Sequence, residues 1–589
     1  MFEKLSKKQN EIAIEKTGAF VVRACPGSGK TYTVSARLAR LLKDWKFPSR
    51  GIAVLSFTNV AWQEIKSKLE NEFNVKSSLG YPHFVGTIDS FINQYIFLPF
   101  AHLDDILNCG KRPTMVGAPF SSWHCHRGRG VSDYHRYFDK VSLGFNNQLV
   151  YPEISGVFDF GYNKIHSDNG SESGHGRNLR TTKQHFWSLG YATQKDANYW
   201  ALQILRKYPQ ITKALALRFP FLLIDEAQDT SEIQMAIINE LEKNGTSELM
   251  FVGDPDQAIF EWNDAKPQLI TKLYEKWQAN SCVLNESFRS SQKICDFTFG
   301  LSELESKAIA VNPNVKDYGN EPKIITYLEE SINTTIADFI KECKSNDIQI
   351  TAKNVAILYR SENFNNKIES IVPLEFGVSP SDLFPDNDLI SFDFCKAKYL
   401  IDNGVFKQGY KILDKAIIKL HLNKTNLTNL DVEEYLNKEG FIEHRKELHS
   451  ILSKLPKTDL TLGNWKDKAN ENLASLKFSI GVKTEYRDKL FNHLITLTKD
   501  LNIKEYYSGT VHSVKGETFE AVLLFLNQKG AKGCHYDNLI KAETKLSENE
   551  ELRIVYVGIT RPSKILWLAV PNNKHELAWK EKLQNESLI

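Results

Sequence analysis

No run in this 589-residue sequence approaches the roughly 18 consecutive apolar residues that a membrane-spanning helix needs, so spanning is excluded. The opening MFEKLSKKQN places charges where a secretory leader has its apolar core, and the chain reads as cytoplasmic. A bias of charge is also missing. Lys+Arg 74 against Asp+Glu 72 leaves a net +2, so no global field announces a polyanion, and a nucleic-acid surface has to be a local patch. Cysteine is sparse and scattered (Cys25, Cys109, Cys125, Cys282, Cys295, Cys343, Cys395, Cys534), which excludes a disulfide scaffold. His124, Cys125 and His126 with Cys109 lack the paired spacing of a zinc site. What is present, 42% hydrophobic, 25% charged and 11% aromatic residues, is the composition of a folded protein. The length implies about three to five domains, or two cores with large insertions.

Residues 18–24 (GAFVVRA) form an apolar β-type run, followed by a Gly-rich turn and by TYTVSARLARLL, whose apolar residues recur at helical spacing. The turn reads Ala24-Cys25-Pro26-Gly27-Ser28-Gly29-Lys30-Thr31, a P-loop with Ala in place of its first glycine. Gly27 and Gly29 let backbone N–H groups face phosphate oxygens, and the helix N-terminus adds its positive end. Lys30 then reaches the β- and γ-phosphates, and the Thr31 hydroxyl ligates Mg²⁺. ATP and Mg²⁺ are therefore the expected cofactors.

A second apolar run, Phe219 to Ile224, ends in Asp225-Glu226-Ala227-Gln228-Asp229. Adjacent carboxylates at the end of a buried strand are costly unless they bind a metal or do chemistry. Asp225 is the expected Mg²⁺ ligand, and Glu226 the group that orients and deprotonates the attacking water. A third run, Glu248 to Val252, leads to Gln257, whose amide can donate to a γ-phosphate and accept from water. Phe260 and Trp262 follow, an aromatic pair suited to base stacking.

The ordered set ACPGSGKT, SFTNVAW (56–62), GTIDSF (86–91), LLIDEAQDTS (222–231), FVGDPDQAIFEWNDA (251–265), ESFRS (286–290), VAILYRS (355–361), GTVHSVKGETF (509–519) and YVGITRPSK (556–564) resembles the motifs of UvrD/PcrA/Rep-like superfamily 1A DNA helicases. The resemblance implies an α/β fold of two RecA-like parallel-sheet lobes, each with an inserted mainly helical subdomain. The first lobe is expected at 1–100 and 186–288, with its insertion at 101–185. The second is expected at 289–390 and 505–589, with a reduced insertion at 391–504. HSDNGSESGHGR (166–177) reads as a mobile loop, and 396–500, rich in Lys and Asn, has helical apolar spacing.

The resemblance also carries roles onto matching residues. Gln9 would read the adenine edge, Phe288 would stack on the base, and Arg289 and Arg561 would meet the γ-phosphate from the second lobe. Charge supplied across a cleft suits a phosphoryl transfer completed by closure. Phe57, Thr58, Asn59, Phe91, Phe260, Trp262, Arg360, Thr510 and His512 match positions lining the strand path, although Phe91 and His512 taken alone read equally well as core residues. The implied partner is single-stranded DNA or a tailed duplex, tracked 3′ to 5′.

Several positions depart from the pattern. Val60 stands where a lysine is usual, Asp89 where a histidine is common, and Asn263-Asp264 where Arg-Gly is typical. In KGETF (515–519) either Glu517 or Thr518 takes the place of the family glutamate. HSVKGET and the reduced second insertion resemble the UvrD-like subunits encoded beside OLD-family nucleases, such as the helicase-like component of the Gabija antiphage system. That narrower resemblance implies an OLD-family nuclease partner and a subunit that senses DNA or nucleotide and unwinds poorly alone.

Overall fold

The computed structural model describes the chain apart from residue 1, residues 76–78, most of 105–133, 151–165, 168–170, 262–263, 362–363, most of 365–388, 404–405, 425, 428, 475–478, 491–505, most of 527–543 and 585–589. His124, Cys125, His126, Cys109, Trp262 and Asn263 lie outside the described residues. No described helix is long and apolar enough to cross a membrane.

Short runs of Val, Ile, Leu and Phe, buried on both faces, form two all-parallel sheets. Such runs need helices on either side, which the intervening amphipathic segments supply. The first sheet has the order Cys282–Leu284, Ala19–Ala24, Glu248–Gly253, Phe221–Ile224, Ile52–Ser56, Phe84–Thr87. Its register pairs Arg23 with Gly253 and Ile224 with Phe251, so three adjacent strands end nearly level. The loops that leave them carry Cys25–Lys30, Asp254–Gln257 and Asp225–Glu226, and that edge is where a parallel sheet builds its binding crevice. The second sheet runs Lys323–Thr326, Pro562–Val570, Phe519–Phe525, Val355–Tyr359, Tyr507–Thr510. Phe20, Val22, Val54, Leu223, Met250 and Val252 fill the core of the first lobe, and Leu358, Val522, Leu524, Leu566, Leu568 and Trp579 that of the second.

Both sheets belong to one compact unit, Met1–Pro119, Trp123–Lys367 and Glu505–Ile589. The stretch expected as the first insertion belongs to it as well. Its described residues include helix Gly174–Ser188 and three two-residue strands, Thr114–Met115, Ser142–Leu143 and Leu149–Val150. Helix Gly174–Ser188 crosses the expected boundary at 185. The helix also takes over the end of the segment read as a mobile loop. Ser173 caps it by accepting from the Gly176 N–H, and that cap outweighs the poor helix propensity of two glycines.

The other unit comprises Phe120–Ser122 and Ile368–Lys504 and is helical among its described residues. Helix Leu389–Asp402 crosses the boundary expected at 390, since motif spacing marks where a family pattern stops and not where a helix is capped. Leu413, Ile417, Leu448 and Trp465 form its core with Phe394 and Leu462. Asp402 accepts from Lys398 Nζ at 2.6 Å and from the Thr458 N–H and hydroxyl at 3.0 and 3.1 Å, tying the first helix to the turn after Phe441–Lys454. Helices Leu389–Asp402 and Phe406–Leu422 meet at Gly409, where a Cβ would lie 2.5 Å from Ile401 Cγ1 and 2.9 Å from the Ala397 carbonyl oxygen. Overpacking of that kind costs about 1–3 kcal/mol, so Gly409→Val should lower the urea midpoint of this unit, followed by circular dichroism, and leave ATP binding intact.

Candidate nucleotide site and strand path

The P-loop leaves strand Ala19–Ala24 and turns through Gly27 (φ 74°) and Gly29 (φ 73°), both in the left-handed region that favours glycine. A Cβ at Gly27 would sit 2.5 Å from Arg289 Cβ, and one at Gly29 would sit 2.8 Å from Gln9 Nε2. Neither position has room for a side chain, so the backbone itself forms the cradle. Helix Lys30–Lys43 starts immediately afterwards, which places its N-terminal end at the loop. Gln9 is buried and donates to the Ser28 carbonyl at 3.1 Å. Cys25 is fully buried and its N–H donates to Leu284 O, so it contributes backbone rather than thiol chemistry. Phe288 N–H donates to Gly27 O at 2.9 Å, and Ser287 Oγ to Pro26 O at 3.2 Å, which holds the ESFRS segment against the loop.

Thr31 Oγ1 donates to Asp225 Oδ2 at 2.9 Å. One hydroxyl and one carboxylate are the hard oxygen donors that Mg²⁺ takes when phosphates and waters complete its shell, and these two residues would hold it. Burial, and then the neighbouring Glu226, push the Asp225 carboxyl up to about 7. Glu226 responds the other way. Burial works to raise it, but Lys30 above all, then Lys515, Gln228 and Arg561, bring it below the usual carboxylate range. Glu226 also sits in the left-handed region (φ 52°), an uncommon conformation for a residue with a side chain. Gln228 fixes it from below, donating to Glu226 Oε2 and accepting from the Asp254 N–H at 3.1 Å. Asp254 in turn accepts from Gln257 Nε2. Sequence reading gave Gln228 and Asp254 no role; the letters of both motifs were visible, but the chain of hydrogen bonds between neighbouring loops was not.

The second lobe delivers its cations to this point. Arg561 is 1% exposed, and its Nη2 donates to Gln257 Oε1 at 2.6 Å. Arg289 donates from Nε to Thr518 Oγ1 at 2.8 Å and from Nη1 to Thr560 O at 3.1 Å. Of the two residues left open in KGETF, Thr518 therefore lends its side chain, while Glu517 is exposed and offers Arg561 a carbonyl at 3.5 Å. Burial lowers both guanidinium groups below their usual range, and Arg289 lowers Arg561 further. Two like charges held this way are relieved by an anion between them.

The strand-path residues are only partly gathered. Phe57 and Phe260 stack with ring centroids 5.3 Å apart at 28°. The His512 ring centroid lies 6.4 Å from that of Phe260, and burial followed by the charge of Arg360 hold its imidazole down to about 4. Thr58 caps helix Asn59–Asn71 through the Ala61 N–H, and Asn59 accepts from Trp62 Nε1 at 3.1 Å. Thr510 ends strand Tyr507–Thr510 and accepts from Ser513 at its carbonyl. Two of these residues are engaged within the protein. Phe91 is 2% exposed among Phe84, Tyr95 and Phe219, because the apolar face of its helix turns into the sheet. Arg360 donates to Glu551 through Nε at 2.6 Å and Nη2 at 2.7 Å. The departures also differ among themselves: Val60 is 68% exposed, Asp89 is half-buried and accepts from Asn198 and Gln234, and Asp264 pairs with Lys195.

Residues 5–113 and 163–278 match the UvrD/REP helicase N-terminal domain. Over these two segments the chain is similar to UvrD/REP helicases. It is 23% identical, over 96% of its length and 84% of the relative's, to a probable DNA helicase II homolog of Mycoplasma capricolum. It is 21% identical to the ATP-dependent DNA helicase PcrA of Staphylococcus epidermidis, over 96% of this chain and 83% of the relative. With the ATP-dependent DNA helicase Rep of Escherichia coli it shares 24% identity over 63% of this chain and 54% of the relative. The matched segments include the P-loop and both acidic loops, which the first sheet sets side by side.

Two outcomes test the site. Arg561→Ala should leave nucleotide binding within about twofold and slow hydrolysis by roughly 10³-fold, read by equilibrium binding and single-turnover assay. His512 is lowered on folding from 6.5 to about 4, so the unfolded chain takes up its proton first and stability falls as pH drops through that window. His512→Gln should flatten this slope, measured as urea midpoints between pH 7 and pH 4.

Proposed function

We propose that this chain is a DNA-dependent ATPase and helicase or translocase that moves 3′ to 5′ on single-stranded DNA. The observation that carries the reading is the convergence of Lys30, Glu226 and Gln257 from one sheet with Arg289 and Arg561 from the other, joined by the Arg561–Gln257 hydrogen bond. The direction of travel rests on the likeness to UvrD, PcrA and Rep.

ATP with Mg²⁺ supplies the phosphoryl group to be transferred. The backbone turn at Gly27 and Gly29 seats the phosphates, while Thr31 and Asp225 hold the cation. Gln9 and Phe288, attached to the loop from opposite sides, are placed for the adenine edge and face. Glu226, kept ionised by Lys30 and oriented by Gln228, aligns a water and accepts its proton. Arg289 and Arg561 neutralise charge that grows on the phosphoryl oxygens, and do so best when the lobes are shut. Phe57 and Phe260 offer aromatic faces that accept any base, as a motor passing every sequence requires.

A second reading, a sensing subunit of a Gabija-type complex that regulates an OLD-family nuclease, is favoured by the exposed Val60 and by the engagement of Arg360 with Glu551, both of which thin the positive charge along the strand path. The two readings separate in one experiment: ATP hydrolysis without DNA, with single strands and with duplex, beside unwinding of a 3′-tailed duplex. Stimulation by single strands with unwinding supports the helicase; hydrolysis without unwinding moves the weight to the subunit; no hydrolysis overturns the helicase, and no binding of nucleotide or single strands overturns the subunit as well. In the same assays Glu226→Gln should cut turnover by about 10²–10⁴-fold and leave single-strand binding unchanged.

A further inference from the structure

Lys515, to which sequence reading gave no role, lies where the two sites come closest. It follows the short helical turn Val511–Val514 of the second lobe. Its Nζ makes an ion pair with Asp229 Oδ2 of the first lobe at 2.6 Å, with side chains 11% and 1% exposed. The same Nζ stands 4.5 Å over the ring of Phe260, the ring stacked on Phe57. The ammonium thus touches one residue of the DEAQD loop and one aromatic of the strand path. Gln228 Nε2 donates to Glu226 Oε2 and, at 3.5 Å, to Asp229 Oδ2, so the carboxylate paired with Lys515 shares a donor with Glu226. Asp229 Oδ1 is buried without a hydrogen-bond partner, so this carboxylate depends on Lys515 more than a surface carboxylate depends on its partner.

We propose that Lys515 is a positioning residue through which a base seated at Phe260 is reported to Glu226. The inference rests on the DNA-dependent ATPase reading and names the route of that dependence. A base that stacks at Phe260 has to separate it from Phe57 or move it, and the ring cannot move without changing the cation that covers it. Ammonium–ring attraction is worth about 0.5–2 kcal/mol, enough to bias where Lys515 rests. A shift of Lys515 alters the Asp229 pair that bridges the lobes and, through the Gln228 amide that Asp229 and Glu226 share, the orientation of Glu226. Coupling here is a change of one cation's position between two sites that both attract it, which is the physical content the word requires.

The test uses the full chain, with steady-state ATPase measured against a titration of oligo(dT). Lys515→Met should reduce the ratio of DNA-stimulated to basal turnover at saturating DNA by at least about fivefold. Lys515→Arg should restore most of that ratio. Because Lys515→Met leaves a buried carboxylate unpaired and can destabilise the chain, Lys515→Met with Asp229→Asn serves as the second variant. That pair should recover the wild-type melting temperature, yet still lack the stimulation, read as the ratio of DNA-stimulated to basal turnover in the same variant. DNA affinity and its salt slope should stay at wild-type values. A wild-type stimulation ratio in the double variant overturns the proposal, and so does a salt slope reduced by about one, which marks a direct phosphate contact instead. Absence of stimulation in the wild-type chain removes the DNA-dependent reading and this inference together, whereas failure confined to the variants removes the inference alone.

Discussion

Buried charge of opposite sign, brought to one place by two separate parallel sheets, is the constraint on which this structure turns. Asp225, Glu226, Asp229 and Asp254 enter from the first sheet, and Arg289, Lys515 and Arg561 enter from the segments of the second. Neither set is comfortable alone in a low dielectric, and each moderates the other. Level strand ends in the first sheet make the acidic set possible, because three loops must leave adjacent strands at the same height.

Much of the nucleotide site was legible in the sequence, for a physical reason. Glycines at 27 and 29, an apolar run before each catalytic loop, and a carboxylate pair after a strand are all local signals that survive without knowledge of the fold. The strand path was harder. Whether Phe91 faces a strand or the core depends on which side of a short helix meets the sheet, and the aromatic cluster with Phe84, Tyr95 and Phe219 decides it. The partner of Arg360, Glu551, could not be read for a similar reason, since it is remote in sequence. Long-range polar pairs, including Lys515 with Asp229 and Arg553 with Glu261, left no trace in spacing or periodicity. The inserted regions were legible as helical composition at 396–500, but their edges were not, because capping residues such as Ser173 act locally and lie outside the family motifs.

Polar side chains that touch no expected ligand do much of the positioning. Gln228 links Glu226 to the Asp254 backbone, and Arg553, fully buried, donates to the Ala258 carbonyl and to Glu261 while sitting on the helix that leads to Arg561. A buried arginine spent on carbonyl groups is costly unless its geometry is fixed, so it marks a place where the lobes must meet in one arrangement.

That helix, Glu550–Ile559, passes to strand Pro562–Val570 through Thr560 and Arg561 alone. A joint this short has no slack. The guanidinium that meets Gln257 is therefore set by the angle between a helix and a strand, as a tooth is set on a gear, and any tilt of the helix reaches it undiluted.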